Sequence, residues 1–140
     1  MIILDTNVLS EFMRAEPEPG AATWVAAQPR ALLYTTSINR AEIRYGLARL
    51  PEGRKRTALA AAADMIFTED FDGRVLPFDG EAADRYAEIV VMRRRQGRPI
   101  DILDAQIAAI ALAVGAEIAT RDVGGFEGCG LRVIDPWMGP

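Results

Sequence analysis

The sequence predicts a three-layer α/β/α sandwich, an α/β fold with a central parallel sheet of about five strands. Short apolar segments alternate with longer segments of helical periodicity along the whole chain, which is typical of parallel sheets covered by helices. Capping and turn residues separate these segments. The length of 140 residues, half of them hydrophobic, suits a single domain with its own core.

The predicted elements follow one another in a regular order. The first strand, at residues 1–4, is wholly apolar and indicates burial on both faces of a sheet. Apolar positions three or four residues apart define the helices, and Pro or Gly residues end them. The predicted strands are residues 1–4, 32–35, 74–78, 116–120 and 131–134. The predicted helices are one that begins near Val8, followed by residues 20–28, 37–50, 54–67, 79–96 and 101–114.

Two absences restrict the chemistry. The chain has no histidine and a single cysteine, Cys129, which excludes Ser-His and Cys-His nucleophilic pairs, Cys-cluster metal sites and an internal disulfide. Hydrolysis would therefore depend on carboxylates, which prefer hard cations such as Mg²⁺ or Mn²⁺. The N-terminus does not resemble a secretory signal, and no apolar run has the length of a membrane helix, so we expect a cytoplasmic protein.

The basic residues are almost all arginine. The net charge is −4, which argues against a dedicated nucleic-acid coat protein, but all except Lys55 of the 16 basic residues are arginines. Arginine binds phosphate through two parallel hydrogen bonds better than lysine does. A coding bias towards arginine explains any one of them equally well. The main group consists of Arg93, Arg94, Arg95 and Arg98.

Four acids come from four separate segments near the carboxyl ends of predicted strands. Asp5 ends the first strand, Glu42 lies on the helix after the second, Asp104 is near the start of the helix before the fourth, and Asp122 follows the fourth. Sites in open parallel sheets form beyond the carboxyl ends of the strands. The four acids converge there if strands one and four are neighbours. A divalent cation would neutralise their repulsion and activate a water for phosphodiester hydrolysis.

Each acid also has a structural explanation that the sequence leaves open. Asp5 could cap the first helix, and Asp122 could be an ordinary loop acid. The segment from Asp101 to Asp104 resembles a capping box, and capping is the role that we expect for Asp101. Glu42 could form an ion pair with an arginine of its own helix. The arrangement of all four acids in the fold is what favours one shared site.

Six segments together resemble a known family: Asp5-Thr6-Asn7, Ala41-Glu42-Ile43, Leu76-Pro77-Phe78-Asp79, Asp104-Ala105-Gln106-Ile107-Ala108-Ala109, Thr120-Arg121-Asp122 and Asp135-Pro136-Trp137. In order and spacing they resemble the motifs of PIN-domain nucleases. The similarity is closest to the toxins of VapBC-type toxin–antitoxin pairs, including the FitB-like branch. It extends over essentially the whole chain, so we expect one PIN-like nuclease domain over residues 1–140.

The resemblance implies a metal-dependent endoribonuclease, the toxin of a type II toxin–antitoxin system. A water activated by Mg²⁺ or Mn²⁺ would hydrolyse the phosphodiester bond, leaving a 5′-phosphate and a 3′-hydroxyl. The expected catalytic and metal-binding residues are Asp5, Glu42, Asp104 and Asp122. Asn7 and Thr120 match positions that orient the acids or bound water. The candidates for holding the substrate backbone are Arg121, Arg93, Arg94 and Arg98.

The resemblance also implies partners. The toxins of this family usually form homodimers, cleave RNA, and are silenced by a small DNA-binding antitoxin that lays a C-terminal segment along the toxin. We therefore expect an RNA substrate, a cognate antitoxin, a homodimer, and a larger hetero-oligomer with the antitoxin.

The sequence offers two alternatives to a metal-dependent nuclease. Phosphoryl transfer through a phospho-aspartate, as in haloacid-dehalogenase-like phosphatases or response-regulator receivers, also places an acid after strand one. Those families need a lysine late in the fold, and the only lysine here is Lys55. The second alternative is a PIN-like partner of a DNA-binding antitoxin that acts mainly in operon repression. The complete set of acids favours catalysis over this binding role.

Overall fold

The computed structural model describes residues 1–138. Five parallel strands form one sheet in the order β3-β2-β1-β4-β5. The strands are β1 (Ile2–Leu4), β2 (Leu33–Thr36), β3 (Val75–Leu76), β4 (Glu117–Ala119) and β5 (Val133–Ile134). The helices are α1 (Thr6–Phe12), α2 (Pro19–Ala26), α3 (Ser37–Ala48), α4 (Arg54–Met65), α5 (Gly80–Arg95), α6 (Ile102–Val114) and α7 (Val123–Phe126). The predicted parallel α/β fold is confirmed.

The strand order places β1 at the centre of the sheet, between β2 and β4. Ile3 is the register partner of Tyr34 on one side and of Ile118 on the other. The chain runs outward from β1 to β3 and then returns to add β4 and β5 on the opposite side. The order therefore reverses between β1 and β4, and a crevice forms there beyond the carboxyl ends of the strands. The adjacency of strands one and four, which was the condition for the acids to converge, is present.

Two hydrophobic layers hold the helices against the sheet. Within β1, Ile2 and Leu4 belong to one buried cluster and Ile3 to the other, because successive side chains of a strand point to opposite faces. The first cluster includes buried residues of α1, α2, α3 and α4. The second includes buried residues of α5, α6 and α7. This is the predicted three-layer arrangement.

Polar side chains fix the first turns of the helices that lead to the crevice. Thr36 caps α3 by accepting from the amide of Asn39 at 3.2 Å. Asp101 caps α6 by accepting from the amides of Leu103 at 3.1 Å and Asp104 at 3.4 Å, which confirms the expected role of Asp101. The left-handed conformation of Gly115, with φ of 70°, ends α6 at the predicted position.

Several elements differ from the prediction. β3 has only two residues because Pro77 follows it and has no amide hydrogen to extend the ladder. A turn of π-helix, Ile66–Asp70, continues α4, and a 3₁₀ turn precedes β2. Helix α7 is absent from the prediction because its two glycines are poor helix formers. No helix within the described residues has the length and apolarity that crossing a bilayer requires. The expected domain extends two residues beyond the described part, to residue 140.

Candidate active site

Asp5 lies at the centre of the crevice, directly after β1. Its side chain is buried, with 6% of the residue surface exposed. One carboxylate oxygen accepts from the amide of Thr6 at 2.8 Å and from the Asn39 carboxamide at 3.0 Å. The other oxygen accepts from the Thr120 hydroxyl at 2.8 Å. Asp5 thus caps α1, which was one of the roles considered above, and it is also held in one orientation by Asn39 of α3 and by Thr120, which follows β4.

Thr120 connects the two sides of the crevice. Besides donating to Asp5, its hydroxyl oxygen accepts from the side-chain amide of Asn7 at 3.0 Å and from the backbone amide of Asp122 at 3.1 Å. The Asn7 side-chain oxygen accepts from the backbone amide of Arg121 at 3.2 Å. Asn7 and Thr120 therefore join the start of α1 to the segment that carries Asp122.

Glu42 is half-buried on α3, and its Oε1 accepts from the Thr6 hydroxyl at 3.1 Å. The ion pair with an arginine of its own helix, considered above, is not what the structure contains. Arg44 instead pairs with Asp64 of α4 at 2.7 Å, and Arg40 lies over the Phe67 ring. Glu42 therefore faces the acids of the crevice rather than a cation.

Asp104 and Asp122 are the other two acids whose charges interact with that of Asp5. Asp104 is half-buried in the first turn of α6. Burial and the charges of Asp5, Asp101, Asp122 and Glu42 raise the pKa of Asp104 from its ordinary value of 3.8 to about 7. Asp122 is more exposed and caps α7, accepting from the amide of Gly125 at 3.2 Å.

The other two acids respond to the same crowding. Burial raises the pKa of Asp5 against the lowering effect of its hydrogen bonds, and the charge of Asp122 raises it further. Burial also raises the pKa of Glu42, opposed by the hydrogen bond from Thr6 and reinforced by the charges of Asp5 and Asp101. The structure therefore brings all four predicted acids within electrostatic range of one another.

The chemistry of this cluster suits a hard divalent cation. Among residues 1–138, the ion pairs formed by acidic side chains do not include any of these four acids. Repelling carboxylates that lack a protein cation are stabilised when a metal ion binds them, and oxygen donors are those that Mg²⁺ and Mn²⁺ prefer. Within the same residues no three acid, His or Cys side chains are already grouped as a metal site. The fit of a divalent cation to these four acids therefore rests on their charge and on their oxygen donors.

The sequence analysis did not assign a role to Asn39, which is fully buried on α3. Its carboxamide donates to Asp5 and, at 3.0 Å, to the hydroxyl of Thr6. Thr6 was recognised only as part of a motif. The available signal was an asparagine at an inward-facing position of a helix, three residues before Glu42.

The arginines that were expected to hold the substrate backbone lie in different environments. Arg93 is buried, and its guanidinium donates to the carbonyls of Arg98 at 2.7 Å, Gly125 at 3.0 Å and Glu127 at 2.8 Å. It cannot reach a phosphate from there, so the proposed substrate contact of Arg93 is corrected to a structural role. Arg98 bridges to Glu127 at 3.1 Å, and Arg94 is exposed.

Arg121 is the candidate nearest to the acids, one residue before Asp122. Its guanidinium lies 4.0 Å from the centre of the Trp137 ring and forms an ion pair with Glu18 at 2.9 Å. About half of the Arg121 side-chain surface is exposed, at 51%. These contacts hold a positive charge in a fixed position beside the crevice.

The chain is similar to several known proteins. The PIN domain family model matches residues 2–127. The chain is 42% identical to VapC ribonuclease Y4jK of Sinorhizobium fredii, covering 98% of each chain. It is 36% identical to Toxin FitB of Neisseria gonorrhoeae, covering 98% of this chain and 99% of the toxin.

Two solved structures share the fold. FitAcB from Neisseria gonorrhoeae superposes with a TM-score of 0.91 at 36% identity, covering 98% of this chain and 99% of that one. FitAB bound to an IR36 DNA fragment superposes with the same TM-score and identity, covering 98% and 96%.

Proposed function

The chain belongs to the PIN-domain family, among the VapC- and FitB-type toxins of VapBC toxin–antitoxin systems, and we propose that it is an endoribonuclease dependent on Mg²⁺ or Mn²⁺. The observation that carries the proposal is the crowding of four carboxylates at the crevice between β1 and β4, with the pKa of Asp104 raised to about 7. We propose that residues 1–140 form one nuclease domain. The RNA substrate follows from the relative named VapC ribonuclease.

Asp5, Asp104 and Asp122 would hold the cation, with Glu42 completing the oxygen ligands. When bound, the cation would neutralise charge on the scissile phosphate and lower the pKa of a water molecule. Asp5 is suited to this role because three hydrogen bonds fix its carboxylate before any ligand arrives. Asp104 would release its proton when the cation binds.

The remaining groups would position the reactants. Glu42 has one oxygen tied to Thr6 and a pKa raised by burial, so its other oxygen is suited to orient a water and accept its proton. Arg121, held beside Asp122 by Trp137 and Glu18, would contact a phosphate oxygen of the RNA. Arg94 and Arg98 remain candidates for more distant phosphate contacts.

We also propose a cognate antitoxin, a homodimer and a larger hetero-oligomer with the antitoxin. The proteins FitA and FitB are found together in the related structures, one of them with DNA. A groove of about 1060 Å³ in this protein supports the antitoxin proposal. Its lining includes Thr6 and Glu42 together with the apolar side chains of Ile43, Leu47 and Leu59. A segment bound in this groove would cover the approach to Glu42 and so inhibit the enzyme.

A role in operon repression is the alternative, supported by the DNA in the related FitAB structure. The two functions are separable because repression through an antitoxin does not require the carboxylates to bind a cation. Substitutions at the acids would abolish cleavage and leave antitoxin-dependent DNA binding intact.

The test is incubation of purified, antitoxin-free protein with total RNA in Mn²⁺ or Mg²⁺, with and without EDTA. We expect discrete fragments that disappear with EDTA and with Asp5→Asn. Asp84→Asn, which neutralises an exposed acid on α5, is the matched control and should cleave like the wild type. Equal cleavage by Asp5→Asn and the wild type, or no cleavage by folded wild type, would overturn the proposal.

A further inference from the structure

A chain of buried and partly buried hydrogen bonds connects Asp5 and Glu42 through Asn39. Asn39 is fully buried, and its carboxamide oxygen accepts from the Thr36 hydroxyl at 2.6 Å. Its nitrogen donates to Asp5 Oδ1 and to Thr6 Oγ1, both at 3.0 Å. Thr6 in turn donates to Glu42 Oε1 at 3.1 Å.

The chemistry of the carboxamide sets the direction of this chain. The Asn39 side-chain nitrogen carries two hydrogens and cannot accept, so it occupies lone pairs of both Asp5 and Thr6. The single hydroxyl hydrogen of Thr6 is then left to point at Glu42. Asp5 fixes which end of the carboxamide is the nitrogen, because an ionised carboxylate can only accept, and the oxygen at the other end then accepts from the Thr36 hydroxyl.

We propose that Asn39 is a positioning residue that holds the carboxylates of Asp5 and Glu42 in one mutual arrangement, the first directly and the second through Thr6. Asp5 follows β1 and Glu42 belongs to α3, so no secondary-structure element fixes one against the other. Donors that hold ligands in place reduce the reorganisation that binding requires. This inference rests on the proposed cation-dependent function.

The central variant is Asn39→Ala, and the matched control is Thr35→Val. Thr35 is also fully buried, and its hydroxyl donates to the backbone oxygen of Leu4 at 3.1 Å without touching an acid. Both variants remove a buried side-chain hydrogen-bonding group next to β1. A loss of general stability would therefore affect both, whereas a loss of carboxylate positioning would affect only Asn39→Ala.

Three quantities should be measured on each full-length variant: Mn²⁺ affinity by electron paramagnetic resonance, kcat and KM for RNA cleavage, and thermal unfolding. We expect Asn39→Ala to weaken Mn²⁺ binding by about 10–100-fold and to lower kcat, with KM for RNA unchanged. Thr35→Val should retain wild-type Mn²⁺ affinity and kcat. Asn39→Asp, which places an additional carboxylate against Asp5 where the wild type has an N–H donor, should also lower kcat.

If Asn39→Ala does not fold, Thr6→Val tests the connection to Glu42 and should lower kcat with KM unchanged. If Asn39→Ala does fold, the double variant Asn39→Ala/Thr6→Val should lose no more activity than the less active of the two single variants, because both substitutions interrupt the same chain of contacts. Asn39→Ala that matches Thr35→Val in Mn²⁺ affinity and kcat would overturn this inference while leaving the proposed function intact. Wild type that neither binds Mn²⁺ nor cleaves RNA would overturn both.

Discussion

The hydroxyl of Thr120 donates a 2.8 Å hydrogen bond to Asp5, although 115 residues separate them in the chain. The contact exists because β1 and β4 are neighbours in the sheet, so that the residues following each strand meet at one edge. The same hydroxyl oxygen accepts from Asn7 and from the amide of Asp122. One buried side chain thus fixes the positions of two acids relative to each other.

Replacing Thr120 with valine should impair both stability and activity. Thr120→Val keeps the shape of the side chain but leaves the partners of its hydroxyl without a hydrogen bond, at a cost of about 1–3 kcal/mol. We expect cleavage to fall by about 10–100-fold because Asp5 and Asp122 are no longer held together. Urea unfolding and initial rates on one RNA check this. Wild-type activity in the variant would show that the contact does not position the acids.

The contribution of Asp104 to the stability of the cation-free protein should decrease as the pH rises from about 4 to about 7. The pKa of Asp104 is 3.8 ordinarily and about 7 in the folded protein, so the folded state holds this proton more tightly than the unfolded state. The stabilisation of the folded state by this proton is fully present below the ordinary pKa of 3.8. It is lost as the pH rises through the folded-state pKa of about 7.

Asp104→Asn isolates this effect, since it cannot titrate at that position. The difference in unfolding free energy between wild type and variant, measured in EDTA across this pH range, should shift against the wild type with rising pH. A difference that stays constant with pH would mean that burial and the neighbouring carboxylates do not raise the pKa of Asp104 in the folded protein.

Neighbouring arginines on α5 should behave in opposite ways. Arg93→Ala should destabilise the protein by roughly 3 kcal/mol because three backbone carbonyls lose a buried donor. Arg94 is exposed, so Arg94→Ala should change stability by less than about 0.5 kcal/mol. Thermal unfolding of both variants measures this difference in stability. Equal stabilities would contradict the structural role assigned to Arg93.

Arg121 should contribute to RNA binding more than to folding. Its ion pair with Glu18 is exposed and stabilises the fold by about 0–1 kcal/mol. If Arg121 contacts a phosphate, Arg121→Ala should weaken RNA binding. It should also reduce the slope of log Kd against log salt concentration by about the amount that one phosphate contact contributes. Binding can be measured in Ca²⁺ or with Asp5→Asn as the background to prevent cleavage. An unchanged salt dependence would exclude the phosphate contact.

Arg121→Lys examines the stacking on Trp137 separately from the charge. Lysine retains the positive charge but has no planar group to lie over the indole ring. We expect salt dependence close to that of the wild type and weaker binding. Affinity equal to the wild type would show that the stacking does not orient the side chain.

The sequence predicted the parallel sheet and the positions of the acids near the strand ends, because strand endings and helix caps depend on local residue types. It left the pairing of β1 with β4 open, since strand order depends on tertiary packing. It did not predict Asn39 as part of the site, since its contacts to Asp5 and Thr6 require α3 to pack across the end of β1. Arg93 was misassigned for a related reason. Its position in an arginine-rich segment resembles an exposed surface, and only tertiary packing against the segment after α7 shows that it is buried.

The central claim, that Asp5, Glu42, Asp104 and Asp122 form one cation site, is tested most directly by calorimetric titration of antitoxin-free protein with Mn²⁺. The titration is performed just below the raised pKa of Asp104, in two buffers with different ionisation enthalpies. We predict saturable binding accompanied by proton release, because Asp104 must ionise to become a ligand. Both signals should be lost in Asp5→Asn and retained in Asp84→Asn. Absence of Mn²⁺ binding by the folded wild-type protein, or equal binding by Asp5→Asn, would contradict the claim.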